Sequence, residues 1–268
     1  MTTPKNTKPT REQRRDAARA QAEKLRQEQA ARERRSRNIL LGVLAGVVVL
    51  VVAAGIWIYA ESQKTLLDEF DGATPANSDS SGGISVGATA AGTVNEGASD
   101  LQVYLDFMCP YCGMFEDANG SDLDTLRSSG DLTVTYHLLA NLDSLSMGTQ
   151  YSTRTANAAA TVASEAPDAF VPFVEGLFAQ QPEENTEGLT DDEIAQIAVD
   201  AGVPQEVADT FTDGTYNEWV AVATQQAKRE GVSGTPTVKL DGKTLPQTVN
   251  FYEPGTLSSY LAEQGVGG

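Results

Sequence analysis

Leu101–Glu116 reads LQVYLDFMCPYCGMFE. Its first eight residues carry one charge, Asp106, and suit the buried middle of a sheet. The run leads straight into Cys109-Pro110-Tyr111-Cys112, then into a polar stretch of helical character to about Ser128. Gly130-Asp131 breaks that helix, and Leu132–Leu139, LTVTYHLL, is the next expected strand. A strand–helix–strand unit implies a parallel pair, because the helix carries the chain back to the end of the sheet where it started.

Helical patterning fills the chain from about Gln150 to Glu230. Phe170, Phe173, Val174, Leu177 and Phe178 fall at i, i+3, i+4, i+7 and i+8, one apolar face of a helix. Thr190-Asp191-Asp192-Glu193 fits a capping box, opening a helix with Ile194, Ile197, Ala198 and Ala201 on one side and Gly202 at its end. Trp219, Val220 and Ala223 belong to a further helix. Thr237–Leu240 reads as a strand, Asp241-Gly242 as a tight turn, and Leu245 as the start of the returning strand. A final helix is expected from about Pro254 to Gln264.

Upstream, the 268 residues divide sharply by charge. Residues 1–38 hold 12 Lys/Arg and 5 Asp/Glu, whereas residues 61–268 hold 7 and 32. Between them Ile39–Ala60, ILLGVLAGVVVLVVAAGIWIYA, has no charge in 22 residues. As a helix it rises roughly 33 Å, enough for a hydrocarbon core of about 30 Å. Trp57 and Tyr59 mark its far end as an interface, and Arg32, Arg34, Arg35 and Arg37 abut its near end. The positive-inside rule then places residues 1–38 in the cytoplasm and the acidic part outside a single-pass cell-membrane anchor. A signal peptide is the competing reading, with cleavage near Ala53–Gly55 or Ala60. Its apolar run is usually about 7–15 residues, shorter than this one. Thr10-Arg11-Glu12-Gln13 fits a capping box for a charged helix through residues 1–38. Residues 61–83, ending GATPANSDSSGG, read as a flexible tether, and residues 84–268 as one domain. The acidity of that domain excludes a nucleic-acid binder.

Two cysteines and one histidine exclude a four-ligand Cys/His zinc site within the chain. Two cysteines three apart at a helix start can close a disulfide with little backbone movement. The free N–H groups and the dipole of that helix end favour a thiolate on the first. Cys109 is therefore the expected attacking and accepting sulfur, and Cys112, one turn in, the resolving one. An inert structural disulfide is the bland alternative, but so short a loop adds the least stability.

Asp106–Glu116, DFMCPYCGMFE, resembles the active-site segment of thioredoxin-fold proteins of the DsbA type. Gly234-Thr235-Pro236-Thr237 resembles that family's second feature, a proline before a strand, 124 residues after Cys112. Gly148–Ala160, GTQYSTRTANAAA, is similar to the first inserted helix of membrane-anchored actinobacterial relatives. The resemblance covers about residues 84–268. It implies an α/β thioredoxin fold with an inserted helical domain at about 150–230, preceded here by one transmembrane helix. It also implies that the Thr235–Pro236 bond is cis, that Cys109, Cys112 and Pro236 are catalytic, and that Thr235, Pro110 and Tyr111 contact substrate. The activity implied is disulfide exchange with secreted or unfolded polypeptides, with no cofactor or metal, and with a redox partner to recycle the cysteines. The family's best-known oxidases have Pro-His between the cysteines where this chain has Pro-Tyr, so part of their thiolate stabilisation is missing.

Three functions fit this reading. The first is an oxidase that makes disulfides outside the cytoplasm. The second is a reductase or cytochrome-maturation protein running the same steps backwards. The third is a tethered client-binding module with a non-catalytic disulfide. Asp106 is expected as a hydrogen-bonded carboxylate at a strand end, with a proton relay to Cys112 as the sharper alternative. His137 is expected as a satisfied structural histidine. Phe107, Met108 and Tyr111 are candidates for an apolar rim facing clients.

Overall fold

The computed structural model describes residues 11–62 and 64–267. These fall into two units, up to Lys64 and from Thr65 onward. The first is the helix α1 (Arg11–Ser62), 52 residues long. It is the one described helix long and apolar enough to cross a membrane. The Thr10 cap expected for it lies outside the described residues.

The second unit holds a five-stranded sheet. Its strands are β1 (Gly83–Val86), β2 (Ser99–Leu105), β3 (Leu132–Leu138), β4 (Thr237–Leu240) and β5 (Lys243–Thr244), in the spatial order β1-β3-β2-β4-β5. As the crossover requires, β2 and β3 are parallel, with Leu101 opposite Val134 and Leu105 opposite Leu138. The helix joining them is α2 (Pro110–Ser129), closed by Gly130 in the left-handed region at φ 90°. β4 runs antiparallel to β2 and puts Val238 opposite Val103. Every residue of β3 is buried, its threonines included. Thr135 Oγ1 donates to Asp100 Oδ1 at 2.6 Å, and Thr133 Oγ1 accepts from the Asn95 N–H at 2.9 Å. Hydrogen bonding makes that burial tolerable for alternating polar residues.

Between β3 and β4 lie α3 (Tyr151–Glu165), α4 (Phe170–Ala179), α5 (Asp191–Asp200), α6 (Gln205–Ala208) and α7 (Asn217–Arg229). α3 is the axis of this insertion, and Ala156, Ala158, Ala159 and Ala160 on it are all fully buried. Small side chains on several sides let α4, α5, α6 and α7 close around one helix. The apolar face Phe170, Phe173, Val174, Leu177 and Phe178 is buried as its spacing predicts. The capping box of α5 forms in both directions: the Glu193 N–H donates to Thr190 Oγ1, and the Thr190 N–H to Glu193 Oε2 at 2.8 Å. The final helix is α8 (Thr256–Glu263), two residues shorter at its start than expected.

The structure corrects the sequence reading in several places. The returning strand β5 begins at Lys243, not at Leu245, because Asp241 (φ 49°) and Gly242 (φ 76°) complete the turn at once. The edge strand β1 was not foreseen. It pairs with β3 antiparallel, Ile84 opposite Tyr136. The expected tether 61–83 is packed against the domain from Thr65 onward. Leu67 and Phe70 lie against the core. The Leu66 N–H donates to Gln226 Oε1 at 2.8 Å, the Ala76 N–H to Ser164 Oγ at 3.1 Å, and Asn77 Nδ2 to the Ala163 carbonyl at 2.7 Å. Asp79 Oδ1 accepts from the N–H groups of Ser81 and Gly83, each at 2.8 Å. The Asn, Asp, Ser and Gly content that reads as flexibility supplies, in this segment, the side-chain bonds and left-handed residues of ordered turns.

Candidate active site

β2 ends at Leu105, and the chain turns on Asp106. The Cys109 N–H donates to the Asp106 carbonyl at 2.9 Å, and the Met108 N–H to Asp106 Oδ1 at 2.9 Å. This turn delivers Cys109 to the N-cap of α2 in an extended conformation, φ −78° and ψ 114°. Pro110 follows at the first helical position, where an N–H would have no partner within the helix. Cys112 lies inside the first turn, its N–H donating to the Cys109 carbonyl at 2.9 Å.

The loop before β4 closes on this helix end. The Thr235–Pro236 peptide is cis. The Thr235 carbonyl accepts from Cys109 Sγ at 3.2 Å. Residues 109, 112, 235 and 236, singled out from two separate stretches, thus meet at one end of the sheet. Pro110 and Tyr111 lie on its rim, both exposed. Tyr111 is 56 % exposed, with Tyr252 at a ring distance of 5.8 Å. A groove of about 390 Å³ begins at Pro236 and Thr237 and is walled by Leu245, Val249, Phe251 and Tyr252. A larger depression, about 630 Å³ beside Tyr260 and Glu263, has neither cysteine nor Pro236 in its lining.

The two sulfurs differ in their surroundings. Both cysteines are free thiols and nearly inaccessible, 3 % and 2 % exposed. The Cys109 pKa is lowered to about 6, first by the Cys112 thiol donating to it. Burial opposes this, and the Thr235 hydroxyl and the N–H groups of Cys112 and Tyr111 add to it. Cys112 is pushed well above the ordinary thiol range, chiefly by burial and then by its role as donor to Cys109. An electron-rich, ionised outer sulfur beside a protonated inner one is the arrangement that disulfide exchange uses.

Asp106 is fully buried and accepts four hydrogen bonds. Oδ1 takes the Met108 N–H and, at 2.7 Å, Ser152 Oγ; Oδ2 takes the N–H groups of Asn141 at 2.8 Å and Leu142 at 3.0 Å. It is the hydrogen-bonded carboxylate expected, joining the cysteine turn to β3's exit and to α3. Burial nonetheless raises its pKa. Phe107 and Met108 are core, 1 % and 0 % exposed, and so form no rim. Phe107 packs on Phe178 of α4 at 5.1 Å. The residues that do face outward are Tyr111 and Met114. His137 is buried and stacked on Tyr104 at 4.0 Å, but its Nε2 has no partner, so it is only half satisfied. Burial lowers its pKa to about 4. Among the described residues no three His, Cys, Asp or Glu side chains converge to hold a metal ion.

Gln181, two residues past the end of α4, escaped the sequence reading. Its Nε2 donates to the carbonyls of Phe107 and Cys109, each at 2.9 Å. Nothing local marks a lone glutamine after a helix end as reaching carbonyls 74 and 72 residues away.

Residues 82–254 match the family model described as Thioredoxin. The chain belongs to the thioredoxin family. Within that family its structural neighbours are thiol–disulfide oxidoreductases. A disulfide bond oxidoreductase, DsbG, from Mycobacterium tuberculosis in its reduced form is 30 % identical, with a TM-score of 0.57 over 68 % of this chain and 86 % of that one. Oxidised DsbA of the same organism is also 30 % identical, with a TM-score of 0.56 over 68 % and 91 %. MdbA from Actinomyces oris, 24 % identical, shares the fold with a TM-score of 0.62 over 72 % and 93 %. Among curated proteins the chain is 32 % identical over 187 residues to the serine/threonine-protein kinase PknE of M. tuberculosis, 67 % of this chain and 31 % of the kinase. The chain thus spans about a third of the length of the curated relatives it matches.

Proposed function

We propose that this thioredoxin-family chain is a membrane-anchored thiol–disulfide oxidoreductase that passes a disulfide to secreted or unfolded polypeptides outside the cytoplasm. The observation that carries the reading is the contrast between a thiolate-favouring Cys109 and a strongly protonated Cys112, beside the Thr235–Pro236 loop. In the oxidised enzyme a client thiolate attacks Cys109 Sγ. The Cys109–Cys112 bond breaks, its electron pair leaves on Cys112, and Cys112 takes up a proton. A second client thiolate attacks the client sulfur of the mixed disulfide and expels Cys109 as a thiolate. The client loses two electrons, the enzyme gains them, and a redox partner restores the cysteine pair.

Stabilising the thiolate stabilises the reduced enzyme, which favours giving the disulfide away. Thr235, Pro110 and Tyr111 surround Cys109 and are the proposed client contacts, with the backbone at Thr235 able to pair with an extended segment. The basic residues Arg32, Arg34, Arg35 and Arg37 support a cytoplasmic N-terminus and an external Thr65–Gly268 unit. The deciding experiment is trapping in cells with Cys112→Ala. Stable mixed disulfides between Cys109 and exported proteins are expected, and none should form with Cys109→Ser also present. Failure to trap any exported protein rejects the reading.

A further inference from the structure

We propose that Gln181 is a positioning residue through which the helical insertion sets the reactivity of Cys109. The proposal deepens the oxidoreductase reading and rests on it. Gln181 belongs to the insertion, and its N–H donates to the Phe178 carbonyl as the chain leaves α4. One Nε2 spans two carbonyls of the cysteine turn, Phe107 before Met108 and Cys109 itself. The space it occupies is kept open by Gly113, where a methyl group would overlap Gln181 Oε1. Gly113 has no other structural reason to be glycine, since it sits in the helix without a left-handed φ. A glycine inside a helix is less stable than alanine, because its backbone loses more freedom on folding. This residue and Gln181 fit each other.

The Cys109 carbonyl already accepts the N–H groups of Cys112 at 2.9 Å and Gly113 at 3.3 Å. The Cys112 N–H also faces the Cys109 sulfur and favours its thiolate. A third donor from Gln181 relieves the carbonyl's demand on that N–H and leaves more of it for the sulfur. Without Gln181, the Cys112 N–H is drawn to the carbonyl, and the thiolate is less well held.

Two variants of the reduced full chain test this, Gln181→Ala, which removes the donor, and Gly113→Ala, which evicts it. The first removes two hydrogen bonds, while the second improves helix propensity, so an effect common to both is not one of general stability. The readout is the pH midpoint of thiolate absorbance, taken below the range where Cys112 ionises. Both midpoints are expected to rise by about 0.5–1 pH unit. The equilibrium with glutathione at neutral pH should move about threefold to fivefold toward the enzyme disulfide. A midpoint unchanged in either variant overturns the proposal, whatever happens to the melting temperature. Because titration needs no client, this result is independent of whether clients are trapped by Cys112→Ala.

Discussion

The driving force for passing on a disulfide depends on pH through one proton at Cys109. Its folded pKa, about 6, lies below that of an ordinary thiol. Between those two values, reducing the enzyme with a dithiol client releases a proton, since Cys109 becomes a thiolate while the client thiols were protonated. The equilibrium constant for client oxidation should therefore rise about tenfold per pH unit from about 6 to about 8.5, and be flat below 6. Equilibration with a model dithiol peptide across that range checks this, and a flat profile would mean that Cys109 is not preferentially ionised. The same linkage stabilises the reduced fold above pH 6 and ceases to do so as pH falls through 6. Asp106 makes a different kind of residue-scale claim. Its oxygens accept three backbone N–H groups and one hydroxyl, all in a site closed to water. Asp106→Asn turns an N–H₂ toward some of those donors and leaves buried N–H groups unpaired. A loss of about 2–4 kcal/mol in urea unfolding is expected. The position of Asp106 was legible from the alternation of Leu101–Phe107, but its partners were not, because Asn141, Leu142 and Ser152 lie 35, 36 and 46 residues away and meet it only in the folded chain.

Elements whose signals are local were readable, and those held by distant partners were not. The CxxC helix, its Gly130 stop, the α4 apolar face and the α5 capping box are each written in consecutive residues. β1 is four residues, Gly-Ile-Ser-Val, too short for a period to show, and it exists because β3 offers an unpaired edge. Gln181 and Gly113 likewise mean nothing apart and fit only across two elements. Capping offers a clean measurement at this scale. Thr190 and Glu193 are exposed, so substitution there removes the cap with little change in packing. Thr190→Ala should cost about 1 kcal/mol of stability, read by chemical denaturation, with the thiolate midpoint of Cys109 unaltered. A loss of several kcal/mol would mean that α5 governs the whole insertion rather than its own first turn.

At the scale of the molecule, the formal charge of −18 averages a basic α1 and a strongly acidic Thr65–Gly268 unit. Composition placed the boundary of the folded unit at residue 84, because it weighs apolar content and the 65–83 segment has little. The structure starts that unit at Thr65, because a few well-placed contacts suffice to order a short segment. Leu67 and Phe70 lie against the core, and Leu66, Ala76 and Asn77 each make a long-range hydrogen bond. Ser81 also bonds the imidazole of His137 through its backbone, and Asp79 anchors Gly83 at the start of β1. A chain beginning at Ile84 lacks these contacts and should therefore unfold at a lower urea concentration than one beginning at Thr65. Removing the segment also opens His137 to water. Its folded pKa of about 4 should then rise toward the ordinary value, because burial, the largest influence on it, outweighs the loss of Asp79 and Ser81, which both raise it; nuclear magnetic resonance titration of the chain's single histidine reads this directly. If the two chains unfold at the same urea concentration and His137 titrates identically in both, residues 65–83 are a tether after all.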